Sequence, residues 1–273
     1  MVVFPNCKIN LGLNILHKRS DGFHDLETIF YPIRLRDALE LIPSPATNDI
    51  VFTTTGLPVS GNSDDNLCVK AYRLLQHDFP RFPPVSVHLH KAIPMGAGLG
   101  GGSADAAFML RLLNDKFQLA LSDDQLIGYA LQLGSDCPFF ILNKPCFATG
   151  RGEKMQAIAL DLSAYQFILV NPGIHVNTGW AFSKIVPAIP AKSSRDIVAQ
   201  PIESWKAELK NDFEEAVFAE YPEIKRIRDE LYGRGAVYAA MSGSGSTVFG
   251  IFEKRIPAAL FAAKNYFVHE CAG

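Results

Sequence analysis

Apolar residues near the start of the chain recur at every second position. In Lys8-Ile9-Asn10-Leu11-Gly12-Leu13-Asn14-Ile15 the odd positions are apolar and the even ones polar or small, the period of a half-buried strand. Ser20-Asp21-Gly22 carries turn residues, and an extended pattern resumes from Leu26 to Tyr31. After Asp64-Asp65-Asn66 the period becomes helical, with an apolar face through Cys68, Ala71 and Leu75. Val85 to Leu89 reads as strand. A helix is then predicted over Ala104 to Phe117, with Ala106, Met109, Leu110, Leu113 and Phe117 on one face and Arg111 and Asp115 on another. Ser122 and Gln125 form a capping box for the next helix, which stops at Gly134.

The pattern in the second half, from about Arg151, predicts a buried strand at Phe167-Ile168-Leu169-Val170, closed by Asn171-Pro172-Gly173. Helices are expected over Ile202 to Ala219 and from Pro222 to a stop at Gly233. Val237 to Ala240 and Thr247 to Phe252 read as strands joined by Ser242-Gly243-Ser244-Gly245-Ser246, and a last helix is expected over Ala258 to Phe267. Strands and helices interleave without a regular strand–helix–strand rhythm, which predicts two α+β domains.

Between the strand at Val85 and the helix at Ala104 lies Pro94-Met95-Gly96-Ala97-Gly98-Leu99-Gly100-Gly101-Gly102-Ser103-Ala104, with five glycines in seven residues. Glycine loses more backbone entropy on folding than other residues, so the cluster needs a reason. A backbone that must wrap a large anion supplies one, since N–H groups can turn inward where no Cβ intervenes. The helix that follows adds unpaired N–H groups and a partial positive charge. This predicts a polyphosphate site. Gly96, Gly98 and Gly101 fit G-x-G-x-x-G, but Pro94 interrupts the strand-to-loop junction and no acidic residue stands out as a ribose ligand on the next strand. A Walker loop would end in Gly-Lys-Ser/Thr, which is missing here, and a protein-kinase loop would join two strands.

Composition narrows the classes further. The chain has 273 residues, 48% hydrophobic and 20% charged, enough for two ordinary globular domains. Its formal net charge of −2, with no dense Lys/Arg run, argues against nucleic-acid and membrane-surface binding. The start Met-Val-Val-Phe-Pro-Asn-Cys-Lys lacks the pattern of a signal peptide, and no apolar stretch is long enough to span a bilayer, so a cytoplasmic protein is expected. Cys7, Cys68, Cys137, Cys146 and Cys271 are scattered without C-x-x-C and are expected to be reduced thiols.

Phosphoryl transfer needs phosphate positioning, charge neutralisation and a group to deprotonate or orient the acceptor hydroxyl. Lys8 stands among apolar residues of the first strand; on its own it reads as an edge-strand or solvent-facing lysine. Asp136, in Leu133-Gly134-Ser135-Asp136-Cys137-Pro138-Phe139-Phe140, reads on its own as a turn or cap residue. The other histidines, including His88, His90 and His175, show no metal-ligand spacing.

Lys8, the glycine loop and Asp136 in this order make the chain resemble the GHMP kinases. The resemblance spans nearly the whole chain, through Lys8-Ile9-Asn10-Leu11, Asp21-Gly22-Phe23-His24, Asp65-Asn66-Leu67, Pro94 to Ala107, Gly134 to Phe140, Asn211-Asp212-Phe213-Glu214 and Met241-Ser242-Gly243-Ser244-Gly245. It implies an α+β two-domain GHMP kinase fold. A ribosomal-protein-S5-like, ATP-binding and catalytic domain would occupy 1–153, and a ferredoxin-like α/β-plait, substrate-side domain 154–273. The Lys8 and Asp-Gly-Phe-His segments resemble the branch that acts on a cytidine-diphosphate-linked methylerythritol in the non-mevalonate route to isoprenoids.

By that resemblance Asp136 is the general base and Lys8 stabilises charge on the carboxylate or the moving phosphoryl group. A nearby cation also favours an ionised carboxylate. Pro94 to Ala104 would hold the phosphates of ATP, with Ser103 close to them and to Mg2+, although no protein ligand of the metal is assigned. Asn66 and Lys91 would approach the nucleotide. His24 would read the cytosine edge, since imidazole offers a donor and an acceptor. Phe23 would stack on the base, Phe182 would form a second aromatic wall, and Thr178 and Asn10 would make polar contacts. The Ser242 to Ser246 run is expected near the site. The expected state is a monomer or weak homodimer. Two other readings stay open: a small-alcohol kinase of homoserine or mevalonate type, and a non-catalytic nucleotide-binding regulator on the same fold. Phe23-His24 speaks against the first, and the presence of both Lys8 and Asp136 against the second.

Overall fold

The computed structural model describes residues 1–44, 49–79 and 82–273, with backbone alone for 262–264. In chain order the strands are β1 (Val2–Val3), β2 (Asn6–Lys18), β3 (His24–Arg36), β4 (Ala38–Pro43), β5 (Val51–Gly56), β6 (Val85–Lys91), β7 (Cys146–Gly150), β8 (Lys154–Ala157), β9 (Gln166–Asn171), β10 (Tyr238–Met241), β11 (Val248–Phe252) and β12 (Phe267–Ala272). The helices are α1 (Leu67–Asp78), α2 (Gly101–Phe117), α3 (Asp123–Leu133), α4 (Cys137–Leu142), α5 (Thr178–Ser183), α6 (Ser194–Val198), α7 (Trp205–Glu208), α8 (Phe213–Glu220) and α9 (Pro222–Gly233). Two compact units share the chain in alternating stretches: Met1–Cys7, Leu35–Met95 and Gly100–Asn143 form one, and Lys8–Arg34, Gly96–Leu99 and Lys144–Gly273 the other. These units are drawn by contacts, whereas a division at 153/154 follows chain order. Among the described residues no helix is long and apolar enough to cross a membrane.

The first unit carries a sheet in the order β1-β4-β6-β5, antiparallel except for β5 and β6, which run parallel and connect through α1. On β6 every second residue faces inward, so Val85, Val87, Leu89 and also Lys91 are buried. Helix α1 starts at Asn66, whose side chain accepts the Cys68 N–H at 2.9 Å, and buries Cys68, Ala71 and Leu75. Helix α2 buries the predicted face through Ala106, Met109, Leu110 and Leu113, and α3 carries the expected capping box. Helix α2 begins at Gly101, three residues before the apolar period does, because Gly-Gly-Ser carries no hydrophobic signal.

The second unit holds two four-stranded sheets, β2-β3-β7-β8 and β10-β11-β9-β12, the latter antiparallel throughout. Leu13, Ile15, Ile168, Val170, Phe213, Val217, Ile227 and Leu231 lie in one buried cluster that joins β2, β9, α8 and α9. The helix expected over Ile202 to Ala219 is broken: a 3-10 turn at Ile202–Ser204 and α7 end before Leu209, and α8 begins at Phe213. The break has a tertiary cause. Leu13 N–H donates to the Lys210 carbonyl at 2.8 Å and Asp212 N–H to the Leu13 carbonyl at 2.9 Å, so this segment pairs with β2. The helix expected over Ala258 to Phe267 is a 3-10 turn at Ala258–Lys264, after which β12 pairs with β9.

Candidate active site

In the second unit, residues 96–99 form a turn whose Ala97, Gly98 and Leu99 carbonyls face inward. The Ala97 carbonyl accepts from Thr247 N–H at 3.2 Å and the Leu99 carbonyl from Lys8 N–H at 3.0 Å. The Gly98 carbonyl accepts from the Ser242 hydroxyl at 2.8 Å and lies 3.5 Å from Lys8 Nζ. Gly96 and Gly98 have φ of +61° and +76°, and a Cβ on Gly98 would stand 2.0 Å from the Ser242 carbonyl oxygen. Only glycine fits there. Ala97 and Leu99 anchor the turn as buried side chains. With its acceptors engaged, the turn leaves the N–H groups of Gly98 and Leu99 without an acceptor among the described residues.

Lys8 is buried, not solvent-facing, although β2 is an edge strand of its sheet. Its Nζ donates to Asn10 Oδ1 at 2.7 Å and lies 4.9 Å from the centre of the Phe30 ring. Asn10 is held in turn: its N–H donates to Ser242 Oγ at 3.2 Å and its Nδ2 to Thr28 Oγ1 at 3.0 Å. Burial makes such a network costly unless its members are paired, so Lys8 and Asn10 hold defined positions beside the Gly98 carbonyl.

In the first unit, Gly100 at φ +70° precedes α2, and the N–H groups of Gly100 to Ser103 meet no acceptor among the described residues. They form the electropositive end of a 17-residue helix. Asp136 is half-buried at the turn before α4, and its neighbour Cys137 hydrogen-bonds Ser103. Burial first, and the Asp136 charge next among the factors that raise it, push the Cys137 thiol up to about 12, so it is a neutral packing group. The Ser103–Cys137 contact therefore ties the Asp136 turn to the first turn of α2.

Two of the expected nucleotide contacts are otherwise engaged. Asn66 Oδ1 caps α1. Lys91 is buried with its ammonium between Asp37 and Asp105, at 2.7 Å from Asp105 Oδ2. Its Nζ lies 3.0 Å from where a Cβ on Gly101 would be, underneath α2. Lys91 thus supports the helix end and does not reach out as a nucleotide ligand, a correction that follows from its place on the buried face of β6.

His24 and Phe182 meet in the second unit, with rings stacked at 5.0 Å and 18°. Phe182 also packs edge-on against Phe213 at 4.9 Å. Phe23 is exposed, with the Arg151 guanidinium 4.8 Å from its ring centre. Burial, with Lys18 adding a smaller push, holds His24 below its ordinary value of 6.5, so the neutral ring presents one donor and one acceptor. Thr178 Oγ1 lies 3.0 Å from Ser244 Oγ, which brings the Thr178 segment to the Ser242–Ser246 run.

Asn211-Asp212-Phe213-Glu214 is a bracket for these parts. Asn211 Nδ2 donates to the Met241 and Gly243 carbonyls at 2.8 and 2.9 Å, Asp212 accepts the Ile15 N–H at 2.7 Å, and Glu214 accepts the Met241 N–H at 2.7 Å. The signal for this bracket in the sequence is a polar run that interrupts a helical pattern.

The comparisons agree with this geometry. Residues 66–144 match the GHMP kinases N terminal domain and residues 193–269 the GHMP kinases C terminal domain. The chain belongs to the GHMP kinases, ATP-dependent small-molecule kinases, and has their two-domain α+β fold. It is 53% identical over 273 residues to a protein of Bacteroides fragilis named 4-diphosphocytidyl-2-C-methyl-D-erythritol kinase, covering 99% of each chain. It is also similar to a crystal structure of 4-(cytidine 5'-diphospho)-2C-methyl-D-erythritol kinase, with TM-score 0.83, 30% identity and 100% of both chains covered. A mevalonate kinase crystal structure has TM-score 0.74 over 100% of this chain and 98% of its own, but 14% identity, a likeness of fold alone.

Proposed function

We propose that this chain transfers the γ-phosphoryl group of ATP to the 2-hydroxyl of 4-diphosphocytidyl-2-C-methyl-D-erythritol, giving the 2-phosphate and ADP in the non-mevalonate route to isoprenoid precursors. The observation that carries the reading is His24 stacked on Phe182 in the same unit as the glycine turn and Lys8. A neutral imidazole next to aromatic rings suits an acceptor that bears a base, and the likeness to relatives named for that acceptor supports it.

In this reading Asp136 takes the proton of the acceptor hydroxyl as its oxygen attacks the γ-phosphorus and the bond to ADP breaks. Lys8 balances developing charge, while Asn10 fixes Lys8. The N–H groups from Gly98 to Ser103, with the α2 dipole, hold the phosphates. Mg2+ would bind with the ATP phosphates near Ser103 and would supply charge neutralisation on their oxygens. His24 reads the cytosine edge, Phe23 and Phe182 flank the base, and Thr178 adds a polar contact. The rings of His24 and Phe182, 5.0 Å apart, leave no room for a third ring, which needs about 7 Å, twice the usual carbon contact. For Phe182 to flank the base while His24 reads its edge, the two rings must therefore part when the acceptor binds. We also propose 1–153 as the nucleotide and catalytic portion, 154–273 as the substrate side, and a cytoplasmic monomer or weak homodimer, a state that light scattering measures.

The purified protein with ATP and Mg2+ is expected to release ADP with the cytidyl acceptor and not with homoserine or mevalonate. Turnover on either of those alone, or on none of the three, overturns the reading.

A further inference from the structure

The segment from Gly173 to Thr178 is fixed at both ends. Asn171 Oδ1 accepts the Gly173 N–H at 2.8 Å, while its Nδ2 donates to Thr247 Oγ1 at 2.9 Å. At the far end Asn177 caps α5 through the Trp180 N–H at 2.8 Å, and Thr178 reaches Ser244. Between them Val176 is buried against Gly245, whose Cβ would lie 3.4 Å from it. Its neighbour His175 points the other way and is exposed. Its Nδ1 lies 3.5 Å, and its Cε1 3.8 Å, from where a Cβ on Gly96 would stand. The imidazole thus rests against the first glycine of the turn, whose next three carbonyls, of Ala97, Gly98 and Leu99, are engaged by the fold.

No hydrogen bond or ion pair holds His175 among the described residues, so its ring has no structural duty that would explain this place. We propose that His175 is a further binding residue of this site, donating a ring N–H to a phosphoryl oxygen of a bound polyphosphate. The inference rests on the kinase reading above. Two ligands carry that chemistry, the nucleotide donor and the diphosphate of the acceptor. Alternation along the segment puts the ring outward at residue 175, and the pinned ends keep it at Gly96.

The test is a direct titration of the wild-type chain, His175→Ala and His175→Lys with ADP and with CDP as probes. We expect His175→Ala to weaken one of the two by about 10- to 100-fold, the scale of one hydrogen bond to a charged group. His175→Lys, which keeps donors, should recover most of that loss. Weakened ADP binding assigns the nucleotide phosphates, and weakened CDP binding the acceptor diphosphate. If His175→Ala binds both probes as the wild type does, or if His175→Lys is as weak as His175→Ala, the inference is wrong. A wild type that binds neither probe instead overturns the kinase reading itself. Thermal midpoints should agree among the three proteins, since the ring supports no other group.

Discussion

Lys91→Met is the sharpest test of how the end of α2 is supported. The substitution keeps a long apolar stem but removes the cation that lies between Asp37 and Asp105, in a place where the side chains of Lys91 and Asp37 are 0% exposed and that of Asp105 4%. Taking one partner out of a buried ion pair costs about 3–5 kcal/mol. The two carboxylates are not equally exposed to this loss. Asp37 Oδ1 keeps the N–H groups of Ala92 and Ile93 at 2.6 and 2.8 Å. Asp105 is less well held: its Oδ1 meets no partner among the described residues, its Oδ2 accepts from Lys91, and its other neighbour is the Asp37 carboxylate, which disfavours its charge. Burial pushes the Asp105 carboxyl up to about 7, against the pull of Lys91, so without Lys91 it rises further. A carboxyl raised above its unfolded value of 3.8 gives stability that is present at low pH and lost as pH climbs through the folded value. The cost of Lys91→Met should therefore be greatest at pH 8 and smaller at pH 6. Urea unfolding followed by circular dichroism and by fluorescence at both pH values measures it. Asp105→Asn added to Lys91→Met should recover about 1–3 kcal/mol at pH 8 by removing the stranded charge. A cost below about 1 kcal/mol at pH 8, outside the range for a buried pair, or no recovery in the double variant, would refute the reasoning.

Asp136→Asn should lower kcat by about 10²- to 10⁴-fold, the range of a general base, with ADP affinity kept; full activity would remove Asp136 from the base role. Gly98→Ala, whose Cβ would meet the Ser242 carbonyl at 2.0 Å, must displace the turn, and kcat/KM should fall by about 100-fold, the effect of a 1 Å misplacement. Because His24 is held below 6.5 by burial, its neutral form persists through pH 8 to 7. The acceptor KM should stay flat across that interval and rise on acidification below 6.5, a rise that His24→Gln abolishes.

Much of this site was legible in the chain, and the failures share a cause. The alternation along β6 continues from Val85, Val87 and Leu89 to Lys91, so its burial could have been read from sequence. Its carboxylate partners could not, since Asp37 is 54 positions away. The helix break at Leu209–Asp212 arises from pairing with Leu13, a contact of long sequence separation that no local propensity encodes. Lys8 looked like a surface lysine because the groups that make its burial tolerable, Asn10 and the Gly98 carbonyl, meet it only in the fold. His175 and Arg151 were missed for the same reason: each is defined by the glycine or the ring it faces. The glycine run, by contrast, stands out in the sequence because its signal is local.

The chemistry of the acceptor provides the most direct test of the central claim. Carbon 2 of 2-C-methyl-D-erythritol carries the methyl group and no hydrogen, so an ester formed at that hydroxyl has no carbinol proton to couple to phosphorus. The phosphorus spectrum of the product from ATP, Mg2+ and the cytidyl acceptor should show one new phosphomonoester singlet beside the two diphosphate signals. A doublet or triplet, from a phosphate on carbon 3 or carbon 1, or no new monoester at all, would contradict the account.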